Sequence, residues 1–531
     1  MLNRSILVFF LLVIFSGVMR FCYLGEWSFD LDELFTTLET KILYGEISVP
    51  DEYLRGGEVK AEATQLYRLP RMIFVSYYVH WFGYKIFGED EFGSRVSQAI
   101  LGALSVGVIF LMGRPIFGFA GALILSLLTM FLPEHLFHSQ CNRFYMQSFL
   151  VIVVVFFLGS YVVYYRSCLV SVILGVVSVL MILANTFGGI VWGVLFCAVM
   201  FGLFCSSGGR VRRFWSENCG IIVLMVLDSF ILLGIIIFHV MSLLVGWNGM
   251  TVWGYSSFHA LMSLINMVGW SYFLFAGVGG CFCLCWVCSS LWRGVAGVAE
   301  VAGEGKDKDS KSRDRSREIS VYGYWLFCVL GCGVVVFILP MKIVYNSNYG
   351  ILFIFPFLVL SMLFICEVYN FILDSSIPFR RVMCVCWVFV CVLLNFPSVL
   401  SYYQDGNRRD NRGAFYYVSE NWREGDRLTG VMMGAAEYYI PARVPRIPLH
   451  YESVRAAEQL REIKDENVGG SGRLWIVIPS SRGGIGVELQ RWLWQNAILK
   501  HKISKKRFDY AENTVEVFLM DDNSNSTNSK K

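Results

Sequence analysis

Three carboxylates stand within four residues, Asp30, Asp32 and Glu33, in the run Trp27-Ser28-Phe29-Asp30-Leu31-Asp32-Glu33-Leu34-Phe35-Thr36. The run follows an apolar block, Ile6 to Met19, flanked by Arg4 and Arg20. A carboxylate at the mouth of a membrane helix can take a proton from a hydroxyl or amine arriving from water. The same acids also suit the first turn of a following helix, where negative charge meets the positive end of the helix dipole. Spacing alone leaves both readings open. Other groups are weaker candidates. His135, His138, His239 and His259 share no ligand spacing and read as ordinary interfacial histidines. The run Cys281, Cys283, Cys285, Cys288 invites a metal. Spacings of two and three residues, however, point thiols in different directions on a helix, where cysteine packs as a small apolar residue.

The elements that must position the carboxylates are membrane helices. Hydrophobic residues make up 56% of the 531, charged residues 16%, and mean hydropathy is +0.54. Stretches such as Phe149 to Val163 have no polar face, whereas the helices of a large soluble α-protein would carry charged outer faces. A crossing takes about 20 residues of helix. The net charge of +4 contains no acidic or basic tract that would suit nucleic acid.

Loop charge sets the direction of each crossing, since basic residues collect on the cytoplasmic side. The first block reads as an uncleaved helix with its N-terminus inside, which leaves Glu26 to Arg71 outside. Met72 to Phe87 is apolar but carries His80, Lys85 and many Tyr and Trp, the pattern of a helix lying along the surface. Crossings then read Val96 to Met112, Phe119 to Leu132, Met146 to Tyr165, Leu169 to Ala184, Gly188 to Cys205, Ile221 to Met241, Leu261 to Leu291, Tyr322 to Leu339, Ile351 to Leu373 and Val382 to Leu400. With the first helix that gives about eleven helices, and the basic clusters at Arg114, Arg210-Arg212-Arg213 and Arg380-Arg381 fall inside. If Met72 to Phe87 crossed instead, all of these would lie outside.

The fold class expected is therefore mainly α, a polytopic transmembrane bundle, with a small exoplasmic α/β domain at the C-terminal end. Residues 1–400 form the membrane domain, with 25–95 as its first exoplasmic loop and 293–320 as a cytoplasmic loop. Residues 401–531 form the outer domain, with strands at Leu474 to Ile478 and Thr514 to Met520, a helix at Val487 to Leu499, and a disordered tail from Asp521. No cysteine follows Cys391, which suits an exported domain in an oxidising compartment.

The aromatic-Ser-aromatic-x-x-Asp-Glu-x-x-Thr pattern resembles the first exoplasmic loop of the GT-C membrane glycosyltransferases. The closest group is glycosyltransferase family 39 with its bacterial relatives, the protein O-mannosyltransferases and the lipid A aminoarabinose transferase. The resemblance continues through His80-Trp81-Phe82-Gly83 and Phe87 to Arg95, Ala99 to Gly118, and Asn142-Arg143-Phe144-Tyr145. Later, Arg412-Gly413-Ala414 and Glu424-Gly425-Asp426-Arg427 are similar to the opening of the exported domain in bacterial members. Two departures stand out: Leu69-Pro70-Arg71 replaces the usual Pro-Pro, and Asn348-Tyr349 replaces the usual Arg-Tyr.

The resemblance implies transfer of a sugar from a polyprenyl-phosphate donor, held in membrane lipid, to an exoplasmic acceptor (protein, lipid or glycan) at the plasma (inner) membrane. It makes Asp32 the general base, with Asp30 and Glu33 as assistants. Arg95 and Arg143 match positions that face the donor phosphate, whose charge grows as it leaves. Lys342 is a further phosphate candidate on position alone, with snorkelling at the interface as the bland reading. No cofactor is required, although some GT-C enzymes use a divalent metal. A transporter or flippase would instead show mid-membrane ionisable residues and two similar halves. The apolar blocks hold only Asp228 and Glu367, with no internal repeat. A third reading keeps the fold as a non-catalytic assembly protein.

This topology is open to single-cysteine labelling on intact cells. Positions beside Arg210 and Lys306 should be reached only after permeabilisation, and positions near Gln65 or after Ser401 without it. A label that reaches the C-terminal segment only from the cytoplasm overturns the arrangement.

Overall fold

The computed structural model describes residues 2–30, 33–34, 36–37, 40–41, 44–45, 74–185, 188–207, 210–244, 320–335, 351–374, 379–405, 408–430, 436, 438–440, 444–449, 453–466, 472–479, 487–506 and 512–520. The chain forms two compact units. The first comprises Met1–Cys22, Thr40–Phe82 and Val96–Val399; the second comprises Tyr23–Glu39, Gly83–Arg95 and Leu400–Lys531.

The first unit is helical. It contains α1 (Leu2–Phe21), most of α2 (Phe74–Phe87), α3 (Gly93–Met130), α4 (Pro133–Ser139), α5 (Tyr145–Tyr165), α6 (Cys168–Ala184), α7 (Gly188–Ser206) and α8 (Val211–Leu244). Later come α9 (Ser320–Val335), α10 (Phe355–Asp374) and α11 (Arg380–Leu393). Among the described residues seven helices are long and apolar enough to cross a membrane, and α6 and α9 are shorter apolar helices. Their outward faces are apolar too: Leu11, Ile14 and Phe15 on α1 and Leu227, Phe230 and Ile231 on α8 are all more than half exposed. Such faces need lipid rather than water as solvent. The protein is a multi-pass membrane protein.

Each expected crossing has a helical counterpart except Leu261 to Leu291, which lies outside the described residues, as does the Cys281 to Cys288 run. The two crossings expected around Arg114 share the run α3, which breaks at Gly118. There φ is +71°, a backbone region that a side chain disfavours. The chain turns back at this point. The rings of Phe110 and Phe119 lie 5.5 Å apart, whereas nine residues of straight helix would separate them by about 13 Å. Helix α2 has 14 residues and so runs about 21 Å, too short to cross. It is fixed by buried Ser76, whose hydroxyl donates to the carbonyl of Ala184 at 2.7 Å.

At the centre of this unit Phe149, Phe156, Phe157, Trp325 and Phe355 interlock, with Phe157 and Phe355 centroids 5.4 Å apart. The hydroxyl of Tyr324 donates to the carbonyl of Phe156 at 2.7 Å. A second anchor is polar. Arg20 is wholly buried at the end of α1 and donates to Ser16 O, Ser139 Oγ and His135 Nδ1. Burial first, then the charge of Arg20, hold His135 well below its usual pKa, so the ring stays neutral and can accept.

The second unit carries a five-stranded sheet, made of β1 (Arg427–Gly430), β2 (Arg446–Pro448), β3 (Leu474–Pro479), β4 (Ile498–Lys506) and β5 (Glu512–Met520). The order is β2-β1-β3-β5-β4, parallel among the first three and antiparallel from β3 onward. Its helices are α12 (Phe396–Asp405, entering the unit at Leu400), α13 (Asn411–Asn421), α14 (Ser453–Glu466) and α15 (Val487–Asn496). Alternation along β3 and β5 sorts the core. Leu474, Ile476, Ile478 and Phe518 face α14 and α15, while Trp475, Val477, Val515 and Val517 face α13. Phe29 and Leu34, from the carboxylate loop, belong to that second cluster.

The expected helix Val487 to Leu499 ends three residues early, and Ile498–Lys506 is a strand. Its lysines hid it: β4 is the edge strand, pairing on one side only with β5, where lysine is a common guard. The expected tail from Asp521 lies outside the described residues.

The sheet opens on a turn, Arg423 to Asp426, where Gly425 takes φ +91° and the amide of Asp426 donates to Arg423 O at 3.0 Å. Burial alone would raise the Asp426 carboxyl. Hydrogen bonds from Arg473 and Trp475, with the Arg423 amide, reverse this and lower it. That contribution to stability is full above the usual carboxylate range and disappears as pH falls through the lower folded value. Asp426→Asn should therefore destabilise this unit by about 1–3 kcal/mol at neutral pH and flatten the loss of stability below about pH 4. Thermal melts across pH check both, and an unchanged profile contradicts the assignment.

Candidate functional site

The carboxylate loop is built into the second unit by one buried acid. Glu33 accepts from Arg95 Nε and Nη2 at 2.9 Å each and from Arg408 Nη1 at 2.9 Å. All three side chains are at most 2% exposed. Glu33 Oε2 also accepts from the backbone amide of Asp30 at 3.1 Å, and Asp30 O accepts from the amides of Glu33 and Leu34. The Glu33 side chain thus reaches back to the amide three residues before it, one half of the arrangement that opens a helix.

Arg95 shapes the loop rather than facing outward. Its remaining N–H groups donate to Leu24 O (3.0 Å), Trp27 O (2.8 Å) and Ser28 O (3.2 Å). A guanidinium has five N–H donors, and all five are engaged within this unit. The expectation that Arg95 faces a donor phosphate meets an arrangement that leaves no N–H for one. Its charge also lies 5.2 Å from the ring of buried Phe29.

A second set of bonds ties the loop to the start of α13. Asp410 caps that helix by accepting from the Gly413 amide at 2.8 Å. The next residue, Asn411, donates from its side chain to Phe29 O (3.0 Å) and from its amide to Ser28 Oγ (3.1 Å). Ser28 Oγ donates to Arg409 O at 2.7 Å. The Phe29 amide donates to the hydroxyl of Tyr439, which donates to Glu91 Oε1 at 2.9 Å. Burial first, then the Glu91 charge, push that phenol well above its usual pKa, so it remains a donor. Arg412 reaches Glu91 at 3.5 Å from the outer side.

Of the residues expected at the site, Asp30, Glu33 and Arg95 are brought together. Asp32 and Lys342 lie outside the described residues. Arg143 belongs to the first unit, half-buried, with its guanidinium 5.1 Å from the Phe144 ring. Burial and then the charge of Arg143 lower His80 to about 3, so this histidine is neutral beside the cation. Sequence reading missed Arg408, Asn411, Tyr439 and Glu91. The Arg408-Arg409-Asp410-Asn411-Arg412 run looks like a solvated charged stretch, and only the neighbouring Arg412-Gly413-Ala414 motif marked it.

No protein-family model matches the sequence, and no curated protein matches it. Solved structures do. ArnT from Cupriavidus metallidurans in the apo state is similar over 98% of each chain, at 13% identity and TM-score 0.49. ArnT from the same organism bound to undecaprenyl phosphate is similar over 96% of this chain and 97% of its own, at 14% identity and 0.47. The Archaeoglobus fulgidus oligosaccharyltransferase in the apo form is similar over 88% of this chain and 69% of its own, at 11% identity and TM-score 0.52, and it carries the conclusion about fold. The fold is of the GT-C type. In this chain the carboxylate loop is part of the core of the unit that holds the sheet.

Removing the charge of Glu33 leaves two buried guanidiniums without their anion. Glu33→Gln should cost about 3–5 kcal/mol of stability. Arg408→Ala should cost less, because Arg95 still neutralises the acid. Melting of the purified variants in detergent gives the order, and a Glu33→Gln protein as stable as wild type contradicts this role.

Proposed function

We propose that the protein is an integral-membrane glycosyltransferase that moves a sugar from a polyprenyl-phosphate donor to an acceptor on the exoplasmic side. One observation carries the reading: in a chain of GT-C fold, the acidic loop after the first helix is fixed from both sides of position 32, at Asp30 and at Glu33. Catalytic groups need such preorganisation to keep their geometry through the reaction.

In this mechanism Asp32 removes the proton from the acceptor hydroxyl or amine as its lone pair attacks the anomeric carbon. The bond from that carbon to the phosphate oxygen breaks, and the electron pair leaves with polyprenyl phosphate. Arg143 and Lys342 carry the cationic role toward the phosphate, which gains charge as it departs. Asp30, Glu33 and Arg95 are positioning residues. Glu33 in particular is already neutralised by two guanidiniums, which makes it a poor base. The neutral His80 adds no competing charge beside Arg143. The side of the membrane follows from the basic loops.

Separate losses distinguish these roles. Asp32→Asn should lower transfer about 10²–10⁴-fold with folding and donor binding intact. Arg143→Ala should weaken donor binding by about 1.5–3 kcal/mol, the size of a hydrogen bond to a charged group. Transfer by Asp32→Asn at the wild-type rate, measured with a radiolabelled polyprenyl-phosphate sugar, sinks the assignment of the base.

A further inference from the structure

Within the first unit, a cavity of about 200 Å³ opens among the ends of four helices. Phe117 lines it from just before the break in α3, Tyr164 from the end of α5 and Tyr322 from the first turn of α9. Cys366, Glu367 and Asn370 line it from the second half of α10. The space exceeds the roughly 30 Å³ share of one water in the liquid, so it admits a small polar group.

Glu367 is the unusual member. It is half-buried in an apolar helix and makes no hydrogen bond or ion pair among the described residues. A charged side chain in a spanning segment is costly and is kept when a partner offsets it. Among the described residues no lysine or arginine lines the cavity. Its other walls suit a cation. Phe117, Tyr164 and Tyr322 present three aromatic rings, whose faces attract cations. Asn370 adds an amide carbonyl that can accept an N–H. A bare phosphate or carboxylate would be repelled by Glu367 and gain nothing from the rings.

We propose that this cavity binds an organic ammonium group, with Glu367 as its counter-ion and the aromatic side chains as its walls. Helix ends of a membrane bundle lie at headgroup depth, where the ammonium of a zwitterionic lipid is available. A small free amine offers the same chemistry. The site is independent of the sugar-transfer loop: its residues all belong to the first unit, and none is assigned a role in transfer.

Native mass spectrometry and melting of the purified full chain, titrated with phosphatidylethanolamine, phosphatidylglycerol and ethanolamine, separate the outcomes. Wild type should hold phosphatidylethanolamine at least about tenfold more tightly than phosphatidylglycerol, the scale set by one charge-assisted contact. Glu367→Gln should abolish that preference. Tyr322→Leu, which keeps the carboxylate and removes one wall, should reduce it. Competition by ethanolamine identifies a free amine as a sufficient ligand, and its failure to compete identifies the lipid headgroup. An undiminished preference in Glu367→Gln overturns the proposal. Should that variant not fold, an undiminished preference in Tyr322→Leu overturns it, as does equal binding of both lipids by wild type.

Discussion

A single buried carboxylate, Glu33, holds two guanidiniums that come from opposite ends of the chain. Arg95 is 62 residues away and Arg408 is 375. Burying three charges carries a large desolvation penalty, which is offset only when geometry is close and every donor is used. Here Arg95 meets that condition through two bonds to Glu33 and three to loop carbonyls. Removal of the acid would take away the carboxylate that both guanidiniums share, so Glu33 is the member of the trio whose loss costs most. The loop conformation, the placement of Phe29 and Leu34 in the sheet's core, and the entry to α13 all follow from it.

The consequence for chemistry is a division of labour among neighbouring acids. Glu33 binds two arginines and the Asp30 amide, and the proposed mechanism gives the proton to Asp32 instead. Neighbours one residue apart on a helix point about 100° apart, so adjacent acids in such a run can hold unrelated jobs. The polar anchor of the first unit uses a different solution to the same problem. Arg20 donates to Ser139, a backbone carbonyl and the unprotonated His135.

Much of the fold is legible in the sequence because membrane helices declare themselves by apolar length. The break at Gly118 was marked by Gly113-Arg114-Pro115, and strands β3 and β5 by short runs rich in large apolar residues. Strand β4 was not, since an edge strand needs only one apolar face and carries lysines on its other positions. The site was legible as types but not as roles. Nothing local to Glu33 reveals that its partners are Arg95 and Arg408, because ion pairs across hundreds of residues leave no periodicity. Arg95 was found for its position, but its contacts to backbone carbonyls and a carboxylate are not legible locally. Motif order located the loop, and distances identify the partners of Glu33.

The coupling claimed for Glu33 is tested most directly by hydrogen–deuterium exchange of wild type and Arg408→Gln. The Phe29 amide is bonded to Tyr439 and the Asn411 amide to Ser28, so each reports one side of the junction. Loss of the Arg408 charge should speed exchange in both the Trp27–Leu34 and the Arg408–Asn421 peptides together, with the α14 and α15 peptides unchanged. Faster exchange confined to the Arg408–Asn421 peptide would show that the loop holds its shape without the trio and would contradict the account.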